Sequence, residues 1–319
     1  MAKRRKNTTK VTRSVPSIEV SKVTPDGVPK APPAVKADNA MAIPRLPSVW
    51  KLSRQALAVL WRRRKLFLSL AAIHAGLSFL LVQSLAGGLN VTGLRTLLEG
   101  TNDRLVNGIL TFEWLMNDSP VSQNAANGAY DVMLFVLISL VYIWALRQVM
   151  AGSTVIRVRD AFYKGAAPLV PVFLVVLMIF VQLLPLLIAL GLYNVVLSYG
   201  FADSVIAKIL WGLPALGLSI LSLYMIVPTI TAIYIATLPD MAPGAALQSG
   251  REVVAGRRWT VLRKQMFLPI ALTVLVLVLF VPVLLFAPLA APWLFFLGTI
   301  LIVPIIHAYY YVLYRELLP

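Results

Sequence analysis

Long apolar runs alternate with short basic segments along this chain, and the alternation predicts a membrane-spanning helical protein. Several runs exceed the roughly 18 apolar residues that suggest a transmembrane helix. The predicted spans cover residues 66–89, 130–150, 169–193, 206–238, 265–286 and 293–313. The fourth is long for one crossing, so it must tilt, kink or begin outside the hydrocarbon. The predicted fold class is all-α: a polytopic membrane bundle of six transmembrane helices with cytoplasmic amphipathic interfacial helices.

The segment 238–259, between the fourth and fifth spans, is polar and strongly patterned. Pro243 suits a first helical turn, and Gly256 suits a helix stop, with Arg257 and Arg258 complementing the negative end of the helix dipole. At helical spacing one face carries Ala246, Leu247, Gly250, Val253 and Val254. The pattern predicts an amphipathic helix lying on the membrane surface.

Two other segments share this design. Residues 45–65 end in WRRRK, and residues 147–164 lead into FYKG, whereas the segment above ends in GRRW. Three units fit, each made of an amphipathic helix and two spans, although shared composition and topology would produce the same pattern. A further short amphipathic helix is predicted at about 94–116, in the long connection after the first span.

Composition agrees with a membrane protein and singles out the N-terminus. The chain is 59% hydrophobic and only 13% charged, about half the charged fraction of a soluble domain. Residues 1–44 are basic, contain several prolines and lack a hydrophobic period. They predict a disordered basic cytoplasmic tail, with the six-span membrane domain at 45–319. We favour a topogenic or solubilising role for the tail over attraction to anionic lipid or nucleic acid.

The distribution of Lys and Arg predicts the orientation. Of the 29 such residues, all but Arg95, Arg104 and Lys208 lie within residues 1–65, 147–164 and 251–264 or at Arg315. By the positive-inside rule, both termini are expected in the cytoplasm, in a multi-pass protein of the plasma (inner) membrane.

Basic residues beside interfacial tryptophans are the first candidate site. Such clusters attract anionic lipid headgroups. The predicted contacts are Arg62, Arg63, Arg64, Lys65, Arg257 and Arg258. The expected partners are therefore membrane lipids with anionic headgroups, together with a membrane protein partner if the chain is an accessory subunit, and no nucleic acid.

Polar side chains within the spans are the second candidate. His74, Gln83 and His307 lie in predicted transmembrane helices, where polar groups are functional hypotheses by default. A histidine pair would suit a proton relay or a metal, but two ligands make a poor metal site. We favour interhelical hydrogen bonding, and we expect no metal or cofactor. The chain has no cysteine, so thiolate sites are excluded.

Enzymatic activity has no support from motifs. The chain has no phosphate-binding GxxxxGK[ST], no HExxH, no GxSxG and no carboxylate pair in a loop. The prediction is a non-enzymatic inner-membrane protein acting in envelope or lipid homeostasis, or as an accessory subunit. The alternative is a permease or transporter component for a small molecule, and an enzyme acting on lipid or isoprenoid substrates ranks third.

Three segments point to relatives. They are APGAALQSGREVVAGRRWTVLRKQMFLPIAL, RVRDAFYKGAAPLVPVFLV and the ending VPIIHAYYYVLYREL. Together they resemble bacterial six-span proteins related to the membrane domain of glycerophosphoryl diester phosphodiesterases, over about residues 140–316. That resemblance implies a six-span topology. It implies no catalytic residues, because the soluble phosphodiesterase barrel has no counterpart in this chain.

Overall fold

The computed structural model describes residues 46–83, 92–99, 103–113, 125–153, 156–201 and 204–318. The tail predicted at 1–44 lies outside these residues. Within them the chain forms α-helices joined by short turns and contains no strand. The helices are α1 (Val49–Arg62), α2 (Arg64–Ser78), α3 (Thr92–Glu99), α4 (Arg104–Glu113), α5 (Ala125–Met150), α6 (Val158–Gly165), α7 (Leu169–Ser198), α8 (Val205–Ala236), α9 (Pro243–Val253), α10 (Arg258–Phe286) and α11 (Ala291–Leu317).

Six helical segments are long and apolar enough to cross a membrane, which confirms the predicted number. They are Arg64–Leu81, Val132–Met150, Leu169–Ser198, Val205–Ala236, Arg258–Phe286 and Pro288–Leu317. The first continues from α2 into a π-helical turn, Phe79–Gln83, and the last begins with a 3₁₀ turn, Pro288–Ala290. The short helices α1, α6 and α9 each precede one of the six apolar segments, and the three-unit repeat stays a prediction.

One sequence prediction in the connection after the first candidate span is wrong in detail. The expected single helix at 94–116 is two helices, α3 and α4. α4 packs against α10, where a Cβ on Gly108 would lie 3.1 Å from the Leu285 side chain. A second small apolar cluster forms where Leu94 meets Leu284 and Ala291. Packing against the end of α10 therefore divides a stretch whose local pattern suggested one helix.

α1 lies across α11 and is fixed at its start. Ser48 is the N-cap, and its hydroxyl accepts a hydrogen bond from the Lys51 amide at 3.4 Å. Leu52 and Ala56 are buried on the inner face of the helix. The Lys264 ammonium of α10 donates to the carbonyl oxygen of Pro47. A buried lysine thus holds the beginning of α1 against the bundle.

α9 follows the sequence prediction closely. Pro243 occupies its first turn, Ala246 and Gly250 are buried, and Gly256 ends the segment with a φ of +73°, a conformation that favours glycine. The inner face of α9 lies on α8, close to the main chain at Pro228. Close packing of small residues therefore attaches α9 to the bundle.

The main core surrounds α5. Its buried residues include Leu140, Ile143 and Leu146, which pack with apolar side chains of α1, α8 and α11. By contrast, α7, α8 and α10 expose many large apolar side chains, such as Leu190 and Val278. Such surfaces suit contact with lipid tails and are costly in water.

Candidate functional site

The junction between α1 and α2 gathers four cations around one cavity. The chain breaks helical geometry at Arg63 (φ −122°, ψ 37°), so α1 and α2 meet at an angle instead of forming one helix. A cavity of about 550 Å³ opens there. Its lining residues are Trp61, Arg62, Arg63, Arg64, Lys65, Leu66, Ser69, Ile156 and Val158. We call it the basic pocket.

The basic pocket has the electrostatic character of an anion site. All four of its cations are exposed, and its lining residues include no carboxylate within the described ranges. The Arg63 guanidinium also donates to the carbonyl oxygen of Ser153 at 3.3 Å, which ties the junction to the turn after α5. Arg62, Arg64 and Lys65 are therefore the residues best placed to meet a ligand.

An apolar groove adjoins the basic pocket. It has a volume of about 990 Å³ and lies between α1, α2 and α11. Its lining residues are Leu57, Ala58, Leu60, Trp61, Arg64, Phe67, Leu68, Ala71, Leu301, Pro304 and Ile305. We call it the apolar groove. Its surface offers contact to hydrocarbon and almost no hydrogen bonds.

Trp61 and Arg64 line both the basic pocket and the apolar groove. The Arg64 guanidinium carbon lies 5.6 Å from the centroid of the Trp61 ring, within the range of a cation–π contact. The charged and apolar regions therefore meet at one residue pair. A molecule with an anionic head and an apolar tail is the ligand that would use both.

The two other predicted headgroup contacts lie elsewhere and have partners. The half-buried Arg257 donates to the carbonyl oxygen of Leu317 at 2.6 Å and to that of Val253 at 3.3 Å. It thus satisfies the last carbonyls of α11 and α9, whose orphan acceptors need donors. Arg258 lies over the Tyr224 ring, with its guanidinium carbon 5.5 Å from the centroid. Neither residue lines the basic pocket.

The two histidines of the candidate spans have different neighbours. His74 is buried and lies edge-on to Tyr142, with ring centroids 6.4 Å apart. His307 is buried against Phe135 and within 3.4 Å of the Tyr234 hydroxyl, through its Nδ1. His307 thus has an interhelical contact of the kind that the sequence favoured, whereas the buried Nδ1 of His74 has no hydrogen-bond partner among the described residues.

No metal site emerges from the described ranges. They contain no group of three or more His, Asp or Glu residues placed to hold an ion. The side chain of Gln83 lies outside the residues whose side chains are described.

Sequence reasoning missed a polar network between α7 and α8. Gln182 is buried, its side-chain oxygen accepts from the Thr229 hydroxyl at 2.8 Å, and its carbonyl oxygen accepts from the Ser222 hydroxyl. The sequence does contain a signal for this network, namely a single glutamine within an apolar run. Such a polar side chain usually faces a neighbouring helix. The groove residues on α11 were also missed, since no local pattern connects residues 57–71 to residues 301–305.

The chain matches no protein-family model, no curated protein and no solved structure. The resemblance to the membrane domain of glycerophosphoryl diester phosphodiesterases therefore stays a prediction.

Proposed function

We propose that this protein is a non-enzymatic integral protein of a bacterial inner membrane that binds an anionic lipid from the cytoplasmic leaflet, in the service of envelope or lipid homeostasis. Both termini lie in the cytoplasm in this proposal. The lipid phosphate occupies the basic pocket, and its hydrocarbon lies in the apolar groove. The observation that carries the proposal is that Trp61 and Arg64 line both cavities.

Physical chemistry supports this occupant. A basic residue near the surface of an anionic membrane contributes about 1 kcal/mol to binding. Arginine also offers paired donors to phosphate, and tryptophan favours the membrane interface. Arg64 and Lys65 occupy the first turn of the first candidate span, where the polar headgroups meet the hydrocarbon.

The packing of the bundle supports binding more than transport. The core around α5 is filled by large apolar side chains such as Tyr142, Ile143 and Leu146, each at most 1% exposed. The groove instead opens along α1, α2 and α11, where lipids would reach it from the bilayer. A permease would need a path through the centre of the bundle, so the alternative function carries less weight.

The decisive experiment measures lipid retention by the full-length protein. A variant combining Arg62→Gln, Arg64→Gln and Lys65→Gln is reconstituted in nanodiscs, and phosphatidylglycerol that stays bound after extraction is counted by native mass spectrometry. We expect retention to fall roughly a hundredfold, since three cations contribute about 1 kcal/mol each.

The matched control removes three other exposed cations. Arg157→Gln, Arg159→Gln and Lys164→Gln lower the net charge equally, but these residues do not line the basic pocket. Both variants keep the basic N-terminal tail, so nonspecific attraction by the tail is the same in both. An equal loss of phosphatidylglycerol from the two variants would refute a specific site at the α1–α2 junction.

A further inference from the structure

We propose that the lipid bound at the α1–α2 junction is a polyprenyl phosphate, whose single long tail follows α11 out of the apolar groove and into the cleft between α10 and α11. This inference rests on the proposed function and names the lipid class that the site would take. Four features support the inference. The apolar groove and the cleft are continuous, the path through them is long, Gly298 leaves space in the cleft, and the cations of the basic pocket lie at one end of the path.

The cleft between α10 and α11 continues the apolar groove. It has a volume of about 580 Å³ and is lined almost wholly by apolar side chains. Leu301 and Ile305 of α11 line both the cleft and the groove. A tail that leaves the groove past these two residues enters the cleft without crossing a polar surface.

The path is longer than one leaflet. On α11 its lining residues extend from Ile305 to Leu294, and on α2 from Arg64 to Ala71. At 1.5 Å per residue these stretches measure about 16 Å and 10 Å. The α11 stretch alone is about half of the roughly 30 Å hydrocarbon core, which is the reach of a phospholipid chain, and the part of the groove beside Arg64 adds to it. A tail that fills the path must therefore be longer than a phospholipid acyl chain.

Gly298 leaves the floor of the cleft open. A Cβ placed on Gly298 would meet no heavy atom within 4 Å, although the residue lies in the middle of α11 and lines the cleft. Phe280 and Phe295, with ring centroids 5.8 Å apart, line the part of the cleft farther from Arg64. A side chain at position 298 would therefore occupy space proposed for the lipid tail without displacing other side chains of the protein.

The charge at the head of the path favours a phosphate monoester. A monoester carries about −1.5 to −2 charges at neutral pH, by analogy with phosphorylated side chains. The phosphodiester of phosphatidylglycerol carries a single charge. Four cations surround the basic pocket, so the more highly charged phosphate gains more from them.

The test compares lipids of one headgroup and different tail length on the full-length protein. Undecaprenyl phosphate and farnesyl phosphate are titrated separately in detergent, and bound lipid is followed by native mass spectrometry. We expect undecaprenyl phosphate to bind about tenfold more tightly, or about 1.4 kcal/mol, because only its tail reaches the cleft. Equal affinity for the two phosphates would overturn the proposal without any variant being made.

A variant with a larger side chain in the cleft tests whether the lipid tail lies there. Gly298→Leu should weaken undecaprenyl phosphate at least fivefold and leave farnesyl phosphate unchanged. The control is Gly217→Leu in α8, where a Cβ also meets no heavy atom within 4 Å and which lines neither the cleft nor the apolar groove. If Gly298→Leu changes neither affinity, the tail does not enter the cleft and the inference fails.

The experiment also separates this inference from the function on which it rests. Should Arg64→Gln weaken both phosphates while tail length and Gly298→Leu have no effect, lipid binding at the junction stands and the long-tail assignment is refuted. Should Arg64→Gln weaken neither phosphate, the proposed function and the inference both fail.

Discussion

The carbonyl oxygen of Pro228 in α8 lies so close to Gly250 in α9 that a Cβ on Gly250 would stand 2.6 Å from it. The methyl group of Ala232 lies at 3.0 Å from the same position. α9 can therefore approach α8 only if residue 250 has no side chain. This contact fixes α9, which lies between the fourth and fifth candidate spans.

Gly250→Ala should destabilise the protein by about 1–3 kcal/mol, because an added methyl group in a tight contact forces the two helices apart. Thermal unfolding in detergent, followed by tryptophan fluorescence, would show a lower midpoint. Gly244→Ala is the matched control in the same helix, since a Cβ there meets nothing within 4 Å. We expect Gly244→Ala to be neutral or slightly stabilising. An unchanged midpoint for Gly250→Ala would contradict the close approach of α9 to α8.

Arg257→Gln should lower thermal stability and leave lipid retention unchanged. Its guanidinium donates to the carbonyl oxygens of Leu317 and Val253, so its loss leaves those acceptors without this donor, at a cost of about 1–3 kcal/mol. Arg64→Gln should do the opposite and lower phosphatidylglycerol retention with little change in the midpoint. The exposed Arg251→Gln serves as the control for charge alone. If Arg257→Gln instead lost phosphatidylglycerol and kept its unfolding midpoint, Arg257 would be a headgroup contact, as the sequence predicted.

Lys264→Met should loosen α1 from the bundle. The ammonium group of Lys264 donates to the carbonyl oxygen of Pro47, just before α1, and methionine keeps the packing of the stem but removes the donor. Limited trypsin digestion should then cleave faster after Lys51 and Arg54. The neighbouring exposed residue provides the control, Arg263→Gln, which should digest like the native protein. Identical digestion of the Lys264 variant and the native protein would show that this contact does not hold α1.

The orientation can be tested with single cysteines, because the native chain has none. Lys164→Cys lies at the end of α6, on the side proposed as cytoplasmic. Tyr199→Cys lies after α7, on the opposite side, and both positions are exposed. In intact cells an impermeant maleimide should label Tyr199→Cys and spare Lys164→Cys until the cells are lysed. The reverse labelling would place the basic pocket outside the cytoplasm and refute binding from the cytoplasmic leaflet.

The candidate site was only partly visible in the sequence. The cationic run Arg62–Lys65 was predicted to meet lipid headgroups because charge density beside an apolar run is a local property. Arg257 has a similar sequence setting, yet the structure places it against main-chain carbonyls. A guanidinium serves equally well as an anion contact or as a helix cap, and only its neighbours in space decide between the two.

The sequence alone determined the all-α fold class, the six apolar helices long enough to span a membrane and the start of α9 at Pro243. Apolar periodicity, proline and glycine act within a few residues of their own position, so a linear pattern contains that information. The tertiary structure alone brought residues 57–71 to Leu301 and Ile305, and Pro228 to Gly250. Those contacts join segments far apart in the chain, and packing between helices, not local preference, determines which surfaces meet.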